Sequence, residues 1–220
     1  APKVGESERF AQLRSVGGLL SNDVDAGILA HARGLGVWHR TDLFCSKCGS
    51  GDVHPGKTGS ERKCGGCGAT HYPRIDPSVI VLVTSRDGER ALLGRKAAWP
   101  QGQYSTLAGF SDLGESLEET VVREVEEESG VRVDRRTLRY VTSQPWLYPR
   151  SLMLAFTAQC EQGEDIRVQE EEMEDVKWFT KQEVIRALNG EAAGDPGPLK
   201  RVPGRAAVAR KLIAAWADGE

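Results

Sequence analysis

The pattern of apolar residues predicts several strands around one amphipathic helix. Residues 78–84 form an apolar run that is typical of a buried strand, and residues 91–94 supply a hairpin partner after a short polar turn. Residues 116–129 have the period of a helix, which Gly130 closes. We predict further elements, three strands and a final helix, at residues 138–142, 152–158, 176–179 and 206–216. Strands on both sides of a central helix indicate a mixed α/β domain.

The remaining segments have weaker patterns. Apolar residues within residues 1–40 recur at loosely helical spacing, which predicts short helices that must pack on another part of the chain because they cannot bury a core alone. Residues 41–73 are rich in Gly, Cys and Lys and poor in large apolar residues, so this stretch needs a staple to fold. Residues 190–204 are rich in Gly and Pro and are predicted to form a loop.

Composition narrows the class of protein. The 220 residues contain 29 Lys and Arg against 32 Asp and Glu, a net charge of −3. A protein that wraps a long nucleic acid usually has a basic surplus, whereas binding of one short or capped RNA end does not need one. No apolar run is long enough to span a membrane, and no signal peptide opens the chain. We therefore expect a cytoplasmic protein with no membrane partner.

Four of the five cysteines form two CxxC pairs, Cys45 with Cys48 and Cys64 with Cys67. The pairs are separated by fifteen residues, a spacing at which four thiolates surround one Zn²⁺ tetrahedrally. A closed shell of four sulfurs leaves no open position, so we predict a structural zinc. A redox dithiol or disulfides are the alternative, although a redox CxxC is normally single. Cys160, alone on a predicted strand, is interpreted as a small core residue.

The helix at residues 116–129 carries the strongest chemical signal. On a helical wheel, Glu124, Glu127 and Glu128 gather at one edge, and Glu128 overlaps the apolar stripe. Like charges repel, and a partly buried carboxylate is costly unless a partner compensates it. Divalent cations such as Mg²⁺ or Mn²⁺ prefer carboxylate oxygens and supply that compensation. The alternative is an acidic surface helix whose charges are solvated.

The ordered pattern around this helix resembles the Nudix box at nine fixed positions, which are Gly109, Glu115, Arg123, Glu124, Val125, Glu127, Glu128, Gly130 and Val131. The resemblance implies a Nudix α/β/α sandwich with a mixed sheet. It also implies that Glu124, Glu127 and Glu128 are catalytic and bind Mg²⁺ or Mn²⁺ together with the carbonyl of Ala108. Glu115 and Arg123 would support the loop–helix–loop of the box, and Gly109 and Gly130 would supply its unusual backbone conformation. The family hydrolyses a nucleoside diphosphate linked to another group.

A second segment, residues 143–151, reads SQPWLYPRS and is similar to the array SQPWPFPxS of the NADH pyrophosphatase branch, which also has a Cys₄ zinc ribbon before its Nudix domain. Trp146 and Tyr148 offer flat faces for a base or a nicotinamide ring, while Gln144 and Ser151 offer hydrogen bonds. The chain departs from the array at Leu147 and Tyr148. A strand end with aromatic packing is the alternative interpretation.

This second resemblance implies further site residues. Tyr72 and Phe110 would stack on the nicotinamide side, and Glu172 would be an additional metal ligand. In this branch Tyr72 reaches the site of the partner subunit, which implies a homodimer. The full set of implied substrate contacts is Tyr72, Ile80, Phe110, Gln144, Pro145, Trp146, Leu147, Tyr148, Pro149, Arg150, Ser151, Met153 and Ala209.

The sequence therefore predicts three parts: a helical remnant of an N-terminal domain or a linker (residues 1–40), a zinc ribbon (41–73) and a Nudix domain (74–220). The function implied by resemblance is cleavage of NAD(H) to NMN(H) and AMP, together with removal of NAD caps from RNA 5′ ends. Two alternatives stay open. One is a Nudix hydrolase of another nucleoside diphosphate derivative such as ADP-ribose, and the other is a zinc-ribbon RNA-binding module with a weakly active Nudix fold.

Overall fold

The chain divides into two compact units in a computed structural model that describes Leu13 and residues 22–161 and 165–219. One unit comprises Ala1–Ile75 and Pro145–Ser151, and the other comprises Asp76–Gln144 and Leu152–Glu220. Short helices were predicted within residues 1–40, and most of the first half of this stretch lies outside the described residues. In the described part, no helix is both long and apolar enough to cross a membrane.

Within residues 22–75, the first unit contains a long helix and a small sheet. Helix α1 (Asp23–Thr41) begins at Asn22, whose side chain accepts a hydrogen bond from the Asp25 N–H. Strands β1 (Val53–Pro55), β2 (Arg62–Cys64) and β3 (Thr70–His71) form a three-stranded antiparallel sheet. The second half of residues 1–40 is thus a single helix of 19 residues rather than several short ones.

The second unit is built on a six-stranded sheet. Its strands are β4 (Asp76–Thr84), β5 (Arg90–Arg95), β6 (Leu107–Phe110), β7 (Arg139–Trp146), β8 (Ser151–Gln159) and β9 (Asp175–Thr180). The order is β7-β8-β4-β5-β9, and β6 pairs with β4. Strands β5 and β6 run antiparallel to β4, and β9 runs antiparallel to β5.

Hydrogen bonds between β4 and β8 show that these two strands are parallel. Ser78 Oγ lies 3.4 Å from the Leu152 carbonyl oxygen, and Thr84 Oγ1 lies 3.5 Å from that of Ala158, so the contacts advance in the same direction along both strands. The sheet is therefore mixed, which confirms the sequence prediction.

Helices cover both faces of this sheet. Alternate residues of β4 enter separate apolar clusters because successive side chains of a strand point to opposite faces. Val79 and Val81 pack with Val121 and Val125 of helix α2 (Leu117–Ser129). On the other face, Ile80 and Leu82 belong to the cluster that contains residues of helix α3 (Lys181–Asn189) and helix α4 (Val208–Asp218). The α/β/α sandwich is confirmed.

The predicted elements are present, with shifted boundaries. The predicted strand at residues 138–142 is observed as β7, which continues to Trp146, and the final helix starts two residues later than expected. Strand β6 and helix α3 were not predicted. Helix α3 has a clear local signal, a capping box between Thr180 and Glu183 followed by a left-handed Gly190.

Candidate functional site

Helix α2 is defined by its two ends. Ser116 accepts a hydrogen bond from the Glu119 N–H, and the Glu119 carboxylate accepts one in return from the Ser116 N–H, which makes a capping box. Glu119 therefore caps the N-terminus of the helix. At the other end Gly130 adopts φ = 71°, a left-handed conformation that favours glycine. The caps determine where α2 begins and ends, and the apolar stripe determines which side of the helix packs on the sheet.

Two glutamates of this helix are buried. The side chain of Glu128 is 1 % exposed and Glu124 is also buried, whereas the Glu127 side chain is about half exposed. Burial raises the pKa of Glu128 to about 7, with the positive charge of Lys96 opposing that rise and the negative charge of Glu124 adding to it. Burial also raises the pKa of Glu124. The predicted overlap of Glu128 with the apolar stripe is thus observed.

Glu128 is held from two sides. Its Oε1 lies 3.6 Å from Lys96 Nζ, and its Oε2 accepts a hydrogen bond of 3.3 Å from the Ala108 N–H on β6. Lys96 follows strand β5 and was not singled out from the sequence, because its proximity depends on the packing of β5 beside α2. Ala108 and Gly109 pair with Ile80 and Val79 of β4, which sets β6 alongside the glutamates.

Arg123 organises the other carboxylates. Its guanidinium donates to both carboxylate oxygens of Glu115, with a distance of 2.8 Å from Nη2 to Oε2. Nη1 donates to Glu124 at 3.0 Å and to Glu127 at 2.9 Å, and Nη2 donates to the Phe110 carbonyl at 2.9 Å. The hydrogen bonds from Arg123 lower the pKa of Glu115 to about 2. The Arg123 guanidinium therefore holds the carboxylates of Glu115, Glu124 and Glu127 together with the end of β6.

Glu172 belongs to the same electrostatic environment. It lies in the turn before β9, and its negative charge raises the pKa of both Glu124 and Glu128. Glu124, Glu127, Glu128 and Glu172 supply hard oxygen donors of the type that divalent cations prefer, and two of these four side chains are buried. Among the described residues, no three of these carboxylates already bring their oxygens within 4.8 Å of one another. Lys96 and Arg123 compensate part of this negative charge.

The four predicted zinc ligands converge. Their Sγ atoms lie within 4.8 Å of one another, with 3.7 Å between Cys45 and Cys67 and 3.6 Å between Cys48 and Cys64. Each pair forms the same tight turn, in which the Gly49 N–H donates to the Cys45 carbonyl and the Gly68 N–H donates to that of Cys64, both at 2.8 Å. All four thiols are free of disulfides. This donor set fits a tetrahedral zinc ion.

The environment of Cys45 favours its thiolate form. Burial opposes ionisation, but hydrogen bonds from the N–H groups of Cys48 and Lys47 and from His71 outweigh it and lower the pKa of Cys45 to about 6. His71 Nε2 lies 3.1 Å from the Cys45 sulfur. Among the residues that the structure describes, these cysteines form the one group of three or more His, Cys, Asp or Glu side chains whose ligand atoms all lie within 4.8 Å of one another.

The second sequence segment has a defined local geometry. The rings of Trp146 and Tyr148 lie edge to face, with centroids 5.4 Å apart and an interplanar angle of 72°. Both side chains are partly exposed, and the Tyr148–Pro149 peptide bond is cis. Ser151, in contrast, is buried. The aromatic pair therefore presents a surface, whereas the Ser151 side chain has little accessible area.

The Gln144 side chain has a structural role that the sequence did not reveal. Its Nε2 donates to the Ala206 carbonyl at 2.7 Å, and its Oε1 accepts from the Val208 N–H at 2.9 Å. Ala207, the residue that precedes α4, has no side chain that can cap the helix. Gln144 supplies that cap from a strand 64 residues away. The sequence shows that Ala207 cannot cap the helix with its own side chain. It does not show which distant residue supplies the cap.

The other predicted contacts differ in exposure. Tyr72 is 67 % exposed and Phe110 is 54 % exposed, so both rings are available for stacking. Ile80 and Ala209 are buried in the apolar cluster beneath the sheet, and Met153 packs against that cluster. Arg150 pairs with Asp42 at 2.8 Å.

Sequence comparisons assign the fold and the glutamate helix to a known class. The NUDIX domain family model matches residues 74–201, and the chain belongs to this family. The crystal structure of a NUDIX hydrolase from Nitrosomonas europaea has the same fold, with a TM-score of 0.60 and 20 % identity over 80 % of this chain and 90 % of that one.

Two curated relatives are closer in sequence. The chain is 41 % identical over 201 residues to the NAD-capped RNA hydrolase NUDT12 of Macaca fascicularis, covering 87 % of this chain and 42 % of that protein. It is 41 % identical over 203 residues to the mitochondrial NAD(P)H pyrophosphatase NUDT13 of Mus musculus, covering 90 % of this chain and 56 % of that protein. The chain thus spans about half the length of these relatives.

Proposed function

We propose that this chain is a metal-dependent pyrophosphohydrolase that cleaves the diphosphate of NAD(H) to NMN(H) and AMP. The observation that carries the proposal is the buried Glu128, which lies with the buried Glu124 among carboxylates whose negative charge Lys96 and Arg123 compensate only in part. The two relatives, an NAD-capped RNA hydrolase and an NAD(P)H pyrophosphatase, support the same substrate class.

The catalytic Mg²⁺ or Mn²⁺ would be held by Glu124, Glu127, Glu128, Glu172 and the carbonyl of Ala108. When bound there, such a cation would supply polarisation of the phosphoryl oxygens and acidification of the attacking water. Arg123 keeps Glu124 and Glu127 oriented through its hydrogen bonds. Glu128, or a neighbouring glutamate, accepts the proton of the attacking water at a carboxylate oxygen. Glu115 and Arg123 with Gly109 and Gly130 support this arrangement.

The substrate pocket would be formed around the aromatic pair Trp146 and Tyr148. Phe110 and a partner subunit's copy of Tyr72 would stack on the nicotinamide side, which makes the active species a homodimer. The high exposure of both rings supports this role. Further contacts are assigned to Pro145, Leu147, Pro149, Arg150 and Met153. Ile80, Ser151 and Ala209 are buried and the Gln144 side chain caps α4, so these four would contact substrate only if their surroundings rearranged.

The remaining parts of the proposal concern the ribbon and the location. Cys45, Cys48, Cys64 and Cys67 hold a structural Zn²⁺, because their four sulfurs are compact and leave no ligand position for substrate. We propose a division into three parts. Residues 1–40 are a helical remnant of an N-terminal domain or a linker, residues 41–73 are the zinc ribbon, and residues 74–220 are the Nudix domain. The protein acts in the cytoplasm.

We also propose a second substrate, the NAD cap at an RNA 5′ end, because the Macaca fascicularis relative is an NAD-capped RNA hydrolase. Its chemistry is the same, since the diphosphate of the cap is cleaved to release NMN. A preference for ADP-ribose, or an RNA-binding role with a weakly active Nudix fold, would be the competing results.

The test is product identification. Purified protein with Mg²⁺ or Mn²⁺ is incubated separately with NADH, ADP-ribose and NAD-capped RNA, and products are resolved by chromatography. We expect NMNH and AMP from NADH with a higher kcat/KM than for ADP-ribose. Glu128→Gln should abolish this turnover, and Glu126→Gln is the matched control, because Glu126 is exposed on the same helix. No turnover with either metal, combined with tight RNA binding, would replace the enzyme with a binding module.

A further inference from the structure

The segment Pro145–Ser151 belongs to the unit that contains helix α1, although the strands before and after it belong mainly to the other unit. This segment includes Leu147 and Tyr148, the two positions at which the chain departs from the array SQPWPFPxS. Leu147 lacks the fixed φ of a proline, so its backbone has more freedom in the unbound state. A contact that restrains this backbone would therefore have a larger effect here than in a proline-containing relative.

Arg33 of helix α1 makes two contacts with these two residues. Its Nε donates a hydrogen bond of 3.1 Å to the Leu147 carbonyl, and its guanidinium carbon lies 4.6 Å from the centroid of the Tyr148 ring. The geometry is that of a cation–π contact combined with a charge-assisted hydrogen bond. Arg33 is partly buried, which strengthens both interactions relative to a fully exposed pair.

The contacts of Arg33 extend to the proposed substrate surface. Tyr148, under the guanidinium, packs edge to face on Trp146, so the position of one ring constrains the other. Helix α1 also lies close to the segment at Gly34, where an added Cβ would be 3.5 Å from Leu147 Cδ2. At the end of the helix, Asp42 pairs with Arg150 at 2.8 Å. The helix therefore contacts the segment at both ends of Leu147–Arg150.

Helix α1 is itself anchored on the zinc ribbon, so it can act as a fixed support. Trp38 is buried, and the Arg62 guanidinium lies 5.7 Å from its ring centroid. His39 Nε2 is 2.8 Å from the Gly59 carbonyl oxygen. These contacts hold the C-terminal part of helix α1 against the ribbon through a side of the helix that does not carry Arg33.

We propose that Arg33 is a positioning residue that holds the Leu147 backbone and the Tyr148 ring, and through Tyr148 the Trp146 ring, in the orientation that receives the dinucleotide. Its role in substrate binding rests on the proposed function. Its role in ordering the segment does not, because the contacts are independent of any substrate.

Three variants separate positioning from general stability. Arg33→Met keeps an unbranched apolar stem but removes the guanidinium, and Arg33→Lys retains a cation near the ring. Arg40→Met, at an exposed position of the same helix, is the matched control. For Arg33→Met we expect KM for NADH to rise about five- to ten-fold with kcat changed less than about two-fold, because a preorganising contact is lost but no metal ligand is touched. Arg33→Lys should lie between, and Arg40→Met should match the wild type.

Hydrogen–deuterium exchange without substrate gives the second readout. We expect faster exchange in a peptide covering residues 145–151 of Arg33→Met, with the ribbon and the Nudix sheet unchanged. Exchange and KM that both match Arg40→Met would overturn the proposal, as would a loss confined to kcat. If Arg33→Met does not fold, Tyr148→Leu removes the ring side of the same contact and is measured by exchange alone, because Tyr148 is itself a proposed substrate contact. If the wild type does not hydrolyse NADH, the proposed function fails while exchange still decides the role of Arg33.

Discussion

Gly109 and Glu124 approach so closely that a Cβ added at Gly109 would lie 1.9 Å from the Glu124 carboxyl carbon. No real Cβ is found at such a distance, so any other residue at position 109 must displace the carboxylate. The requirement for glycine here comes from the space that Glu124 occupies and not from an unusual backbone φ. The first glycine of the box is thus part of the geometry of the proposed metal site.

Gly109→Ala should therefore displace Glu124 and weaken metal binding without unfolding the sheet. We expect roughly ten-fold or greater losses in Mn²⁺ affinity and in kcat, because a group that orients a metal ligand is altered. Isothermal titration with Mn²⁺ and steady-state kinetics measure the two effects. Gly36→Ala is the control, since a Cβ at that position meets nothing within 4 Å. Full Mn²⁺ affinity in Gly109→Ala would contradict the assigned role of Glu124.

Glu128→Gln removes the charge of the most buried carboxylate while preserving its shape. We expect kcat to fall about 10²-fold or more, because charge is lost from the metal site, with little change in Tm. Glu126→Gln on the exposed face should retain wild-type activity. Activity of Glu128→Gln within a few-fold of the wild type would show that this helix does not carry the chemistry.

Glu115 should contribute acid-dependent stability through Arg123. Its pKa in the folded protein is lowered to about 2 from an ordinary value of 4.5, mainly by the hydrogen bonds from Arg123. Because the folded-state pKa is the lower one, the stabilisation is complete above pH 4.5 and is lost as the pH falls toward 2. Urea unfolding across this range should give a shallower loss of stability for Glu115→Gln than for the wild type. Parallel curves for the two proteins would disprove the coupling.

Cys64→Ser should affect folding before catalysis. Loss of one thiolate opens the Cys₄ shell, so we expect zinc content to fall below one ion per chain together with a lower Tm and loss of the dimer. Elemental analysis, thermal unfolding and sedimentation measure these effects. Cys160→Ala, which changes a buried cysteine of the other unit, should keep the zinc. Normal thermal stability of Cys64→Ser without zinc would refute the structural assignment.

Contacts within one helix or within one CxxC turn could be predicted, because the residues involved are close together in the sequence. The period of α2 fixes which glutamates share an edge, and Ser116 and Gly130 mark its ends through capping chemistry. The four cysteines were identified from spacing because a CxxC turn is itself a local structure. Strand β6 was missed because its four residues include a glycine and have no alternation that a short window can detect.

The sequence by itself determined the α/β class, the carboxylate-bearing helix, the cysteine cluster and the family. Only the tertiary structure decided that β6 sets Gly109 against Glu124, that Gln144 caps α4, and that Arg33 contacts Leu147 across 114 residues. Side-chain periodicity is a property of a few neighbouring residues, whereas these contacts depend on strand order and on how helices pack. Packing is decided by the whole set of apolar surfaces at once, so no single segment encodes it.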